Sequence, residues 1–102
     1  MNALQREALR LIAMQIAQLI EIADAAEDAA CTARERAVDA RVYYRSAPTT
    51  AAENAMLRAS IREDLAFQKF LEAEDAVTGG FAAREFVMAA LRKEEREKPS
   101  SP

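Results

Sequence analysis

Histidine and tryptophan are absent from this chain of 102 residues; glycine occurs twice, proline three times and cysteine once. Each shortage excludes something. Without an imidazole there is no histidine metal ligand, no Ser-His-Asp triad and no Cys-His nucleophile. A single thiol, Cys31, cannot form an intrachain disulfide, and a disulfide-free chain fits a reducing compartment, taken here as the cytoplasm. The glycines are adjacent, Gly79 and Gly80, so no glycine-rich phosphate loop can be built. The apolar stretch from Leu11 to Ile22 is interrupted by Gln15, Gln18 and Glu21, so no membrane span and no secretory signal are expected. Basic side chains are outnumbered 14 to 17, giving a net charge of −3, which argues against a nucleic-acid binder.

Apolar residues make up 51% of the chain and charged residues 30%, a folding composition. Many of the apolar residues are alanine, which buries little area per residue. Such a chain depends on helix propensity, close backbone approach or a partner chain.

The sparse punctuation predicts helices. Nothing breaks a helix between Ala3 and Arg45, and Asn2 with Gln5 reads as a capping box. Pro48 pushes Ala47 out of the helical region, ending helix 1. Thr50 with Glu53 reads as a second capping box, and Gly79 as a left-handed C-terminal cap. The expectation is one all-α domain over residues 1–98. Its helices would span roughly residues 3–45, 50–78 and 81–97, with a disordered tail at 99–102.

Helix 1 carries a sustained heptad seam: Leu9, Ile12, Ile16, Leu19, Ala23, Ala26, Ala30, Ala33, Ala37, Ala40 and Tyr44. Helix 2 offers Ala52, Met56, Ala59, Glu63, Ala66, Phe70, Ala73 and Val77. The short connection predicts a long antiparallel coiled-coil-like hairpin, residue i facing roughly 95 − i, with its tip near residues 45–50. Helix 3, through Ala83, Phe86, Val87, Ala90 and Leu91, is expected to fold back on the bulky end, making a three-helix base under a thin arm. Cys31, Val38 and Val42 on helix 1, and Leu57, Ile61 and Leu65 on helix 2, lie off the seams. Together with a poorly buried alanine seam they predict a homodimer or a partner surface.

Three kinds of function follow. The leading one is a non-enzymatic protein–protein interaction module. In size and composition it suits a small bacterial or phage-encoded inhibitor or adaptor that binds a host complex, with a protein partner and no cofactor. The candidate binding residues sit near the tip: Arg41, Tyr43, Arg45, Leu57, Arg58 and Ile61. Tyrosine and arginine are the usual anchors of interfaces. A second possibility is a metal-dependent phosphohydrolase. Glu21, Asp24, Glu27 and Asp28 fall opposite Glu72, Glu74 and Asp75, and carboxylates on facing helices can hold Mg²⁺ or Mn²⁺. The seam assignment turns most of them outward and leaves Glu27 and Glu74 flanking the interface. The third is a weak nucleic-acid binder using the arginine-rich tip, where Arg34, Arg36, Arg41, Arg45, Arg58 and Arg62 are interleaved with Glu35, Asp39, Glu53, Glu63 and Asp64.

Overall fold

The computed structural model describes residues 1–97, so the tail expected at 99–102 lies outside the described residues. Two helices account for nearly all of them: α1, Ala3–Ser46, and α2, Thr50–Glu97. They pack side by side as a hairpin whose extents are 85 × 17 × 13 Å. Its radius of gyration, 23.1 Å, compares with about 13 Å for a compact domain of this length.

The caps explain the ends. Asn2 accepts a hydrogen bond from the Gln5 backbone N–H at 2.8 Å, and the Gln5 side chain accepts from the Asn2 N–H at 3.0 Å, closing the expected capping box. At the far end Ala47 leaves the helix at φ −139°, ahead of Pro48, and its N–H donates to the Tyr43 carbonyl. The cap of α2 lies one residue earlier than the sequence pattern suggested. Thr49, not Thr50, accepts from the Ala52 N–H at 3.1 Å, because α2 already includes Thr50 as its first residue.

The expected break at Gly79-Gly80 and the separate third helix are corrected by the structure: α2 runs through both glycines. Neither glycine has a positive φ, so no left-handed cap forms. Glycine permits a helix end without requiring one, and the flanking packing decides. A Cβ at Gly80 would lie 3.2 Å from Ile16 Cγ1 and 3.3 Å from Leu19 Cδ1, so Gly80 is where α2 lets these bulky side chains of α1 approach its backbone. The three-helix base is therefore a two-helix base. Large residues of α1 meet a glycine hole in α2 rather than a third helix. The face assigned to helix 3 is corrected as well. Val87 and Leu91 are half-buried, but Ala83 and Ala90 are exposed and Phe86 is 77% exposed.

The two heptad seams hold at every position named above, each being buried or half-buried. Close pairs fix the antiparallel register: the Met1 amino group with Glu95 at 2.9 Å, Gln5 with Glu94 at 3.4 Å, and Gly80 beside Ile16 and Leu19. Residue i thus faces roughly 97 − i, within about two residues of the expected register. The core is thin. Only Ile16, Ala23, Ala37 and Ala52 are buried among the described apolar residues, and Ala37 is 0% exposed because alanine seams bring two helices close together. The chain exposes 7920 Å², against about 5,700 Å² for a typical folded monomer of this mass.

Candidate interaction surface

In a two-stranded coil, residues seven apart share a face, so the side chains flanking the seam divide into two long faces. On one of them lies a groove of about 510 Å³, lined by Glu27, Ala30, Cys31, Arg34, Val38 and Arg41 of α1 and by Glu63, Asp64, Phe67 and Phe70 of α2. Phe67 and Phe70 meet with ring centroids 6.4 Å apart, tilted by 59°. A smaller recess of about 280 Å³ continues the same rows towards the base through Ile20, Ala23, Asp24, Glu74, Val77 and Thr78. Heptad spacing adds Arg45, Leu57, Leu71 and Phe81. We call this the phenylalanine face.

The opposite face has two recesses. One, about 270 Å³, is lined by Ala29, Thr32, Ala33, Arg36, Ala59 and Arg62. The next, about 310 Å³, is lined by Ala26, Ala29, Arg62, Leu65, Ala66 and Lys69. Tyr43, seven residues beyond Arg36, and Arg58, seven before Leu65, extend this arginine face towards the tip. Tyr43 is 62% exposed.

The six residues expected to form one binding patch are thus divided. Tyr43 and Arg58 belong to the arginine face, and Arg41, Arg45 and Leu57 to the phenylalanine face. Ile61, exposed, lies on the outer side of α2 between them. The off-seam apolar residues divide in the same way, Cys31, Val38 and Leu57 on one side and Leu65 on the other, with Val42, like Ile61, exposed on the outer side. Sequence reasoning passed over Phe67, Leu71, Phe81 and Lys69. The signal was present in the spacing 67, 74, 81, which runs beside the seam in the same heptad phase.

Arg41 is engaged within the hairpin. Its Nη2 lies 3.5 Å from Glu63 Oε1. Simple register would set Arg34 opposite Glu63, but side chains on a helix lean towards its N-terminus. Arg41 leans towards the base and Glu63 towards the tip, and the two converge. The other carboxylate oxygen, Glu63 Oε2, is sealed from solvent with no hydrogen-bond partner. This seam glutamate is a polar flaw in an otherwise small, apolar interface.

Of the acidic residues, Asp24 and Glu74 line the basal recess together, and Glu27 lines the larger groove. Asp24 thus joins Glu74 and Glu27 beside the interface, where the seam assignment turned it outward. Among the described residues no three His, Cys, Asp or Glu side chains gather closely enough to hold a metal ion. Near the base, Glu7 accepts from Arg10 Nε at 2.9 Å and Nη2 at 2.6 Å, and the guanidinium holds the Glu7 carboxyl below its ordinary value. Among the described residues, no helix is long and apolar enough to cross a membrane.

No protein-family model, curated protein or solved structure matches the chain. Its own geometry therefore carries the functional argument.

Proposed function

We propose that this protein is a non-enzymatic interaction module, a two-helix rod that presents its side chains to an acidic surface of another protein. The observation that supports this reading is the arginine face. Arg36 and Arg62, from different helices, line one recess, and Lys69 lines the next. Among the described residues none of these cations, nor Arg58 in the same row, has an ion-pair partner. Asp39 and Glu72, seven residues beyond Thr32 and Leu65, share these rows, but the face keeps a net positive charge, which an opposing set of carboxylates complements. Exposed Tyr43 and Leu65 supply contact area beside that charge. A protein suits this face better than a nucleic acid does, because the chain as a whole carries −3 and repels a polyanion. A small inhibitor or adaptor, of bacterial or phage origin and working in the cytoplasm where the exposed Cys31 thiol stays reduced, is the form this reading takes.

The test compares the wild-type chain with Arg36→Glu/Arg58→Glu/Arg62→Glu as baits, both checked for helicity by circular dichroism. The expected result is an acidic protein retained by the wild type at low salt, released by about 0.5 M salt, and lost from the variant. Equal retention on both baits, or retention of nuclease-sensitive nucleic acid alone, refutes the reading.

A further inference from the structure

The phenylalanine face carries exposed Val38, Leu57, Phe67, Leu71 and Phe81 in continuous heptad rows, and nothing within the hairpin covers them. We infer that a second copy of this chain docks on this face, tips together, with α1 of each copy lying on α2 of the other.

The charge pattern selects that arrangement. Towards the tip, α1 contributes Arg34 and Arg45 to the face, neither with an ion-pair partner among the described residues, and α2 contributes Glu53 and Asp64, likewise without one. By the hairpin register, Arg34 lies level with Asp64 and Arg45 level with Glu53. A twofold axis along the rod sets α1 of one copy over α2 of the other. It brings arginine onto carboxylate at both levels, twice over, as an isologous interface requires. The same operation places Cys31 on Phe67, Val38 beside Leu57, and Phe81 over the small Ala13 and Ala17 of the other copy. Between Glu53 and Glu85 of α2, Asp24 against Glu74 is the one like-charge level; Arg6 and Arg92, level with each other nearer the base, lie outside that stretch. Turning the rods end for end would instead stack α2 on α2, bringing Asp64 level with Glu74.

The area is sufficient. From Glu53 to Glu85, α2 runs about 48 Å, and the rod is 17 Å wide. The footprint is about 800 Å² per copy, the size of a standard stable interface. It lies well within the surplus of exposed surface noted above. The product is a four-helix bundle in which every neighbouring pair of helices is antiparallel. This inference does not depend on the arginine face, which remains outside the contact.

The test begins with light scattering on the full chain from about 5 to 200 µM. A dimer is expected, and a monomer at the highest concentration overturns the proposal. Leu71→Asp should raise the dimer Kd by about 30-fold or more. Leu65→Asp, at a somewhat more exposed leucine on the opposite face, should leave it within about threefold. The reverse pattern overturns the choice of face. Arg34→Glu/Arg45→Glu and Glu53→Lys/Asp64→Lys should each weaken self-association by about tenfold or more, and a mixture of the two should form a heterodimer of near wild-type affinity. Failure of the mixture to restore affinity overturns the stacking of α1 on α2. Spin labels at Ser46→Cys in a Cys31→Ser background should lie within about 25 Å of each other. A separation of about 50 Å, that of rods laid end for end, overturns the tips-together arrangement. Circular dichroism on each variant separates loss of the dimer from loss of the hairpin.

Discussion

Replacing each glycine of the Gly79-Gly80 pair in turn tests the continuity of α2 directly. In a helix interior, alanine is about 1 kcal/mol more favourable than glycine. At Gly79 a new Cβ meets nothing within 4 Å, so Gly79→Ala should gain nearly all of that. For a domain of this size, this raises Tm by about 4–8 °C. At Gly80 the same methyl lies 3.2 Å from Ile16 Cγ1 and 3.3 Å from Leu19 Cδ1, closer than ordinary contact, and Ile16 is buried. The propensity gain is offset by crowding, so Gly80→Ala should change stability by less than about 0.5 kcal/mol. Gly80→Leu should lose about 2 kcal/mol, because a larger side chain must push the helices apart. The assay is thermal and urea unfolding followed by circular dichroism at one fixed protein concentration, since association shifts Tm. Had Gly79 closed a helix in the left-handed conformation, Gly79→Ala would destabilise by about 1 kcal/mol or more. A fall in Tm for Gly79→Ala would therefore refute the continuous helix and restore the third one.

Four further outcomes follow from the same packing. Ala37→Leu, at a position with 0% exposure, should lower stability by about 1–3 kcal/mol in urea unfolding; an unchanged midpoint would show that the helices are not closely apposed there. Glu63→Met removes the sealed, unpartnered Oε2 and should stabilise the hairpin by about 1 kcal/mol, while Arg41 turns to solvent; destabilisation would show that the Arg41 pair outweighs the flaw. The Glu7 carboxyl is held below its ordinary value when folded, so its contribution is present above the unfolded carboxylate pKa and lost as pH falls through the lowered one. Melting curves of wild type and Glu7→Gln should accordingly differ at neutral pH and converge in acid. Finally, Mg²⁺ or Mn²⁺ at about 5 mM should leave Tm unchanged, because a bound ion must stabilise the folded state; a rise of several degrees would favour the metal-dependent phosphohydrolase over the interaction module.

Much of the fold was legible. The seam from Leu9 to Tyr44 could be written down residue by residue because a 3–4 repeat has only one way to bury its apolar stripe. Pro48 and the capping box at Asn2 act through backbone chemistry a few residues wide, so they located the ends of α1 to within about a residue. The misplaced cap at Thr50 came from two adjacent threonines, each able to serve. The break at Gly79-Gly80 was misread for a different reason. Glycine lowers the cost of a helix end and of a close helix crossing alike, and local sequence does not distinguish the two. The heptad phase did carry a hint: from Ala73 and Val77 it continues through Gly80, Arg84, Val87 and Leu91, all half-buried.

The candidate surface was less legible than the seam. Arg41, Arg45 and Leu57 belong to one face and Tyr43 and Arg58 to the other, a division set by the register of the two helices rather than by nearness in sequence. Composition, periodicity and backbone chemistry are local properties, and they were enough to determine an all-helical hairpin with an alanine seam and a tip near Pro48. Whether α2 broke at its glycines, which arginine met Glu63, and which side chains came to share a face depended on how one helix lies against the other. Those outcomes rest on contacts between residues such as Ile16 and Gly80, distant in the chain, and only the tertiary structure decided them.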